Sequence, residues 1–117
     1  MELQSNLSKP LEIHITPDAN RDLADIMMHI AKDSRTAAHR VRERILERIG
    51  ELAVAPGRGK ISQIPTLKER GVRFTSEGRY LIFYQAKEQE VHVHHIFHSA
   101  RNISAYDFDF HEQEQTN

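Results

Sequence analysis

The feature that most constrains the fold is a change in hydrophobic period, from two residues to about 3.6 and back to two. Leu11, Ile13 and Ile15 alternate with polar residues, which is typical of a strand with one buried face. Two segments with apolar residues three and four positions apart follow, at about 17–32 and 36–53. Because only a short break separates them, they predict an antiparallel helical hairpin.

Three further strands are predicted after the hairpin. The loop at 56–59, which contains one proline and two glycines, ends the second helix. Residues 72–75, 79–86 and 91–97 then have the apolar and aromatic character of strands. The resulting order, β-α-α-β-β-β, predicts an α+β domain in which the hairpin packs on one face of a mostly antiparallel sheet.

Composition indicates one soluble domain with an uneven charge distribution. The 117 residues carry a formal net charge of −1, so the basic excess of a dedicated nucleic-acid binder is missing. Residues 35–79 are rich in arginine, whereas the sequence after Ile103 has acidic residues and no lysine or arginine. We expect a domain at 10–103, a flexible segment at 1–9 and an acidic, partly disordered tail at 104–117.

Several classes of protein are disfavoured by what the sequence lacks. Without cysteine, the chain can form neither disulfides nor thiolate zinc sites. No apolar run is long enough to span a membrane, and residues 1–11 lack the hydrophobic region of a signal peptide. We therefore expect a cytoplasmic protein without a cofactor or a membrane partner.

The central predicted strand is apolar on both faces. A strand with one wet face alternates apolar and polar residues, but five apolar residues are consecutive here: Tyr80, Leu81, Ile82, Phe83 and Tyr84. If the tyrosines and Ile82 face the helices, Leu81 and Phe83 point to the other side and need a cover. Two alternatives are possible for what covers them. The first is part of this chain, either a loop or the tail, and the second is another protein that fills a groove.

Histidines on the last strand raise the question of a metal site. His92 and His94 would project from one face, roughly 7 Å apart, and His98 could join them. No acidic residue on that strand segment completes the ligand set, so a polar strand face is the favoured interpretation and no metal site is expected. His95 falls on the side of the strand valines and Phe97, which predicts a hydrogen-bonded core histidine.

Several segments resemble the RelE/ParE superfamily of type II toxins, and the ParE branch more than the RelE branch. They include Thr16-Pro17-Asp18-Ala19, Pro56-Gly57-Arg58-Gly59, Gly78-Arg79-Tyr80-Leu81-Ile82-Phe83-Tyr84 and His98-Ser99-Ala100-Arg101-Asn102. The resemblance implies a small toxin neutralised by an antitoxin that is encoded beside it. The antitoxin would wrap an extended or helical segment across the toxin, and the complex would bind operator DNA only through the antitoxin.

The superfamily divides by target, and the fold does not decide between the targets. The ParE branch implies inhibition of DNA gyrase without a hydrolytic centre, which is the favoured interpretation. The RelE branch implies cleavage of messenger RNA on the ribosome, which needs cations and acid–base groups at the phosphate. For this alternative, the resemblance implies a phosphate-binding Arg79 and a catalytic His98, and Arg73 could add positive charge.

The antitoxin contacts are predicted from the pairing of the last two strands. With regular pairing, one sheet face carries residues of both strands: Arg79, Leu81 and Phe83 with His94, Ile96 and His98. The predicted partner contacts are Leu81, Phe83, Ile96, Arg79 and Arg101.

Overall fold

The computed structural model describes residues 9–110, which form five strands and three helices. The strands are β1 (Glu12–Ile15), β2 (Lys60–Ile61), β3 (Arg73–Glu77), β4 (Tyr80–Lys87) and β5 (Glu90–His98). The helices are α1 (Pro17–Ala31), α2 (Arg35–Glu51) and α3 (Pro65–Glu69). The predicted succession of elements is confirmed, and β2 and α3 are added within the segment predicted to be a loop.

All five strands belong to one sheet, in the order β1-β5-β4-β3-β2. Every neighbouring pair is antiparallel except β1 and β5, which are parallel. A parallel pair needs a long crossover connection, and the segment from α1 to β4 supplies it. The α+β class with a mostly antiparallel sheet is therefore confirmed.

Capping residues define the start of both long helices. Thr16 Oγ1 accepts a hydrogen bond from the backbone N–H of Ala19 (3.1 Å), and Pro17 occupies the first helical position. Ser34 Oγ accepts from the backbone N–H of Ala37 (3.0 Å) at the start of α2. No helix in residues 9–110 combines the length and the apolar character that crossing a bilayer requires.

The main core lies between the helical hairpin and the sheet. Ile82 and Tyr84 are fully buried there and Tyr80 packs at the margin, so the predicted inward-facing set on β4 is correct. Their helical partners are Ala19, Leu23, Ile45, Ile49 and Leu52.

A β-bulge interrupts the pairing of β4 with β5. Phe83 lies opposite His95, whereas the next residue, Tyr84, lies opposite Val93, so His94 is an extra residue on β5. Because successive side chains of a strand alternate, one extra residue exchanges the two faces for the rest of β5.

The bulge overturns part of the predicted surface. Ile96 pairs with Ile82 and is buried in the core beneath the helices, at 2% exposure. Phe97 instead pairs with Leu81 on the opposite face. His98 pairs with Tyr80, which packs on the helical side. The prediction that Ile96 and His98 share a face with Leu81 was therefore wrong.

His95 is fixed at the open edge of β5 by the first helix. Asp22 Oδ2 accepts hydrogen bonds from His95 Nδ1 (2.7 Å) and from the backbone N–H of Ile96 (2.9 Å). The His95 ring stacks on Phe97, with 4.7 Å between ring centroids. Hydrogen bonding of His95 is thus confirmed, but its side chain does not lie with the strand valines because the bulge intervenes.

Candidate functional site

The sheet face opposite α1 and α2, here called the far face, has its own apolar cluster. Its buried members are Leu67, Val72, Phe83, Phe97 and Phe108, and its half-buried members are Ile64, Phe74, Leu81, Ile103 and Phe110. Residues 103–110, here called the tail segment, supply three of these side chains, and α3 supplies Leu67. The chain itself therefore covers much of the face whose apolar character the sequence predicted.

Phe108 is the main contact between the tail segment and the sheet. Its ring meets Phe83 edge-on at 5.2 Å between centroids and Phe97 at 5.8 Å. Phe110 extends the contact, since its ring lies 5.3 Å from that of His94 and 4.1 Å from the Arg70 guanidinium carbon. Of the two covers expected for Phe83, the chain's own tail is the one present.

Part of the predicted acidic tail is ordered against the sheet. Residues 104–110 of the predicted tail lie in a defined position against the sheet, and they include a 3-10 turn at Ala105–Asp107. Residues 111–117, and residues 1–8 of the predicted N-terminal segment, lie outside the described residues.

Hydrogen bonds to Asp107 anchor the tail segment. Asp107 Oδ2 accepts from the backbone N–H of Ser104 (2.9 Å), and Oδ1 accepts from Arg101 Nη2 (2.7 Å). The guanidinium of Arg101 in turn lies over the ring of Phe97, 4.1 Å from its centroid. The Ser104 hydrogen bond above all, and then the Arg101 interaction, hold the pKa of Asp107 below its ordinary value of 3.8.

Acidification is expected to loosen the tail segment. Because the pKa of Asp107 is lower in the folded protein than in the unfolded chain, its contribution is present above the ordinary carboxyl pKa and is lost as pH falls through the folded value. NMR signals of the Phe108 ring should report this release during an acid titration. Asp107→Asn should show weaker anchoring at neutral pH and lose this step, and an unchanged step in that variant would contradict the assignment.

Two openings lie on the far face. The larger, of about 630 Å³, lies between α3 and the tail and is lined in part by Ile64, Arg70, Tyr106 and Phe110. The smaller, of about 220 Å³, lies at the β2 side of the sheet and is lined by Arg58, Gly59, Lys60, Phe74, Thr75, Ser76 and Leu81. Leu81 thus stays accessible although Phe83 does not.

Of the three groups predicted for RNA cleavage, two lie at the same end of the sheet and the third does not. Arg79 and His98 lie at the same end of the sheet, where the backbone N–H of Ser99 donates to the Arg79 carbonyl (2.8 Å). His98 Nδ1 accepts from the backbone N–H of Ala100 (3.0 Å). Arg73 begins β3 at the other end, roughly 13 Å away by strand rise. Its guanidinium donates to the Gly59 carbonyl (2.8 Å).

Tyr84 fixes the loop that borders the smaller opening. Its buried hydroxyl donates to the Pro56 carbonyl (2.7 Å) and accepts from the backbone N–H of Gly59 (3.0 Å). Burial raises the pKa of Tyr84, against smaller opposing effects of the Gly59 hydrogen bond and Arg73. The hydroxyl therefore remains a neutral donor that positions Arg58 and Lys60 at the rim.

The sequence interpretation did not identify several residues of this surface. Leu67 and Arg70 lie in or directly after α3, within the predicted loop, whose apolar residues are too few to show a period. Phe74 lies in the strand predicted at 72–75, but the face on which it packs was not assigned. Phe108 and Phe110 had a visible signal, the alternation of aromatic and acidic residues from Tyr106 onward. That alternation is typical of a strand-like segment with one apolar side.

Comparison with known proteins agrees with the fold. Residues 13–103 match the family described as ParE toxin of type II toxin-antitoxin system, parDE. A solved structure described as the chromosomal ParDE TA system from P. aeruginosa is similar in fold, with a TM-score of 0.65 and 20% sequence identity. The match covers 75% of this chain and 95% of that chain. The curated proteins include no significant match. Because the family match spans most of the sequence, the chain belongs to the ParE toxin family of type II toxin–antitoxin systems.

Proposed function

We propose that this ParE-family toxin arrests growth by binding and inhibiting DNA gyrase. The observation that carries the proposal is the match of residues 13–103 to the ParE toxin family. In addition, one of the three groups considered for RNA cleavage, Arg73, lies apart from Arg79 and His98. Arg73 is engaged with a loop carbonyl at one end of the sheet, and His98 lies at the other. Ribonuclease chemistry requires cations and acid–base groups around one phosphate. A toxin that acts through a protein surface does not require that arrangement.

Parallel assays on gyrase and on translating ribosomes test the target. Purified full-length toxin should reduce supercoiling by gyrase and trap cleaved DNA, and it should leave ribosome-bound mRNA intact. Arg79→Ala and His98→Ala supply the matched comparison in the ribosome reaction. Cleavage of mRNA that disappears in these variants, together with unimpaired gyrase, would replace the proposal with the ribonuclease alternative.

We further propose that the cognate antitoxin binds the far face at the accessible groove around Leu81 and Phe74. Apolar side chains would fill the groove, and acidic side chains would pair with Arg58 and Lys60 at its rim. Arg79, also a predicted contact, lines a separate opening beside α2. The other predicted contacts differ in availability. Ile96 is buried beneath the helices, and Phe83 and Arg101 are engaged by the tail segment.

A charge placed in this groove should weaken antitoxin binding. Leu81→Asp buries an unpaired carboxylate at the interface, so we expect affinity to fall roughly 30-fold, or about 2 kcal/mol. Val54→Asp is the matched control, because Val54 is an apolar residue at 72% exposure outside the far face. Calorimetric titration would measure both variants after circular dichroism has established that each is folded. Equal affinities for the two variants would remove Leu81 from the interface.

The proposed activity also implies a cellular location and an indirect contact with DNA. Gyrase and a newly made antitoxin both occur in the bacterial cytoplasm, which is where we place the toxin. Operator DNA would be bound through the antitoxin, consistent with the toxin's formal net charge of −1.

A further inference from the structure

Four side chains with metal-binding atoms meet where β1 pairs with β5. The parallel register places Glu12 beside Glu90 and His14 beside His92. Residues at alternate positions of a strand share a face, and the intervening residues of both strands pack into the helix-facing core. The four side chains therefore lie together on the far face, at the β1 edge of the sheet.

The distances within this cluster match the edges of a small coordination polyhedron. His14 Nε2 lies 3.2 Å from Glu12 Oε1 and 3.6 Å from Glu90 Oε2. Ligands bound tetrahedrally at 2.0–2.2 Å from a zinc ion are separated by about 3.4 Å. The donor atoms of Glu12, His14 and Glu90 all lie within 4.8 Å of one another. A single ion can consequently reach all three without a change of backbone.

The Nε2 atom of His14 provides a second, independent observation. It is buried from solvent and makes no hydrogen bond, despite the two carboxylate oxygens nearby. The two carboxylate oxygens lie within ion-pair distance of the nitrogen without forming a hydrogen bond to it. An ion between the nitrogen and the carboxylates would satisfy all three atoms. The imidazole is already oriented for this role, since its ring stacks on that of His92 at 5.0 Å.

His92 completes the arrangement from the neighbouring strand. Its Nε2 lies 2.8 Å from Glu90 Oε1, the carboxylate oxygen that does not point to His14. Hydrogen bonds of this kind orient a ligating carboxylate and raise metal affinity. The strand periodicity around His92 did not reveal this partner set, because two of its members lie on β1, and only the parallel pairing brings them together.

We propose that Glu12, His14 and Glu90 bind a divalent transition-metal ion of the zinc class, with His92 as a positioning residue. Imidazole combined with carboxylates suits zinc and its neighbours better than magnesium or calcium, which prefer oxygen ligands alone. The ion would join the four-residue edge strand β1 to β5 and so stabilise the sheet. This role is separate from gyrase inhibition.

Thermal unfolding of the full-length, tag-free chain with zinc chloride or magnesium chloride tests the site. A ligand that binds only the folded state raises its Tm, and we expect a rise of about 5 °C or more with ~100 µM zinc and none with magnesium. Glu12→Gln and His14→Gln should abolish the rise. His39→Gln, an exposed histidine on α2, is the matched control and should retain it.

Isothermal titration should give one zinc per chain, and the affinity should fall when the pH is lowered, because protons compete for the imidazole and carboxylates. No rise with zinc would overturn the proposal, as would an equal rise in Glu12→Gln. If His14→Gln does not fold, Glu12→Gln decides the question, because the side chain of Glu12 is 70% exposed and its loss should be tolerated. Zinc binding is measured by Tm and calorimetry, and gyrase inhibition by the supercoiling assay. Either hypothesis can therefore fail without affecting the test of the other.

Discussion

Replacing Gly59 with alanine is expected to destabilise this toxin strongly. An added Cβ would lie 2.5 Å from the Tyr84 hydroxyl oxygen and 2.8 Å from the Phe74 backbone carbonyl oxygen. The backbone at Gly59 is extended (φ −74°, ψ 165°), so alanine is excluded by contact and not by conformation. Moving Tyr84 also breaks its hydrogen bonds to the loop. We expect a loss of about 3 kcal/mol or more in the free energy of unfolding.

Gly57→Ala is the matched control, two residues earlier in the same loop. A Cβ at Gly57 would meet no atom within 4 Å, so alanine should be neutral or add about 0.5 kcal/mol by restricting the unfolded chain. Urea unfolding followed by circular dichroism compares both variants with the parent. Similar midpoints for the two variants would show that the close approach of Gly59 to Tyr84 does not exist in solution.

Phe83→Ala is expected to have the largest effect on the far face. Phe83 is 4% exposed, and its ring lies 5.5 Å from that of Phe74 and 6.0 Å from that of Phe97. Truncating a buried phenylalanine removes its transfer free energy and leaves a cavity, which costs about 3–5 kcal/mol. Denaturant unfolding should register this as a lower midpoint with an unchanged slope.

A double-mutant cycle with Phe108 tests whether the tail segment covers Phe83 in solution. Phe108→Ala alone should cost less than Phe83→Ala, because the tail segment lies outside the sheet and can detach without leaving a closed cavity. The coupling between the two rings should be about 0.5–1.5 kcal/mol. Strictly additive effects would indicate that the tail segment leaves the sheet, and the far face would then be open to a partner over its whole area.

The sequence predicted the main elements because their periodicities are long and regular. The helices predicted at 17–32 and 36–53 are Pro17–Ala31 and Arg35–Glu51 in the structure. Their caps, Thr16 and Ser34, carry the signal that locates a helix start. The element β2 has two residues, and such a short segment shows no period.

Two features of the sheet could not be predicted, and both changed the candidate site. The bulge at His94 exchanges the two faces of β5 from that residue onward. Because His94 and His95 are identical neighbours, the alternation of apolar and polar residues does not show which of them is the extra residue. Leu81 stays on the far face despite this exchange, whereas Ile96 is turned into the core beneath the helices. The parallel pairing of β1 with β5 is likewise set by long-range contacts. The local sequence around Glu12 and His14 therefore does not predict that they lie beside Glu90.

The placement of β1 against β5 has a consequence for the order of events during synthesis. Thr16, just after β1, contacts His94, 78 residues later in the chain. Contacts of such long sequence separation form late, because the intervening chain must first be ordered. While the ribosome is still translating, the helical hairpin can form but β1 has no neighbour to join. A nascent chain therefore lacks the finished surface, and any protein that recognises it must wait until translation has passed the last strand.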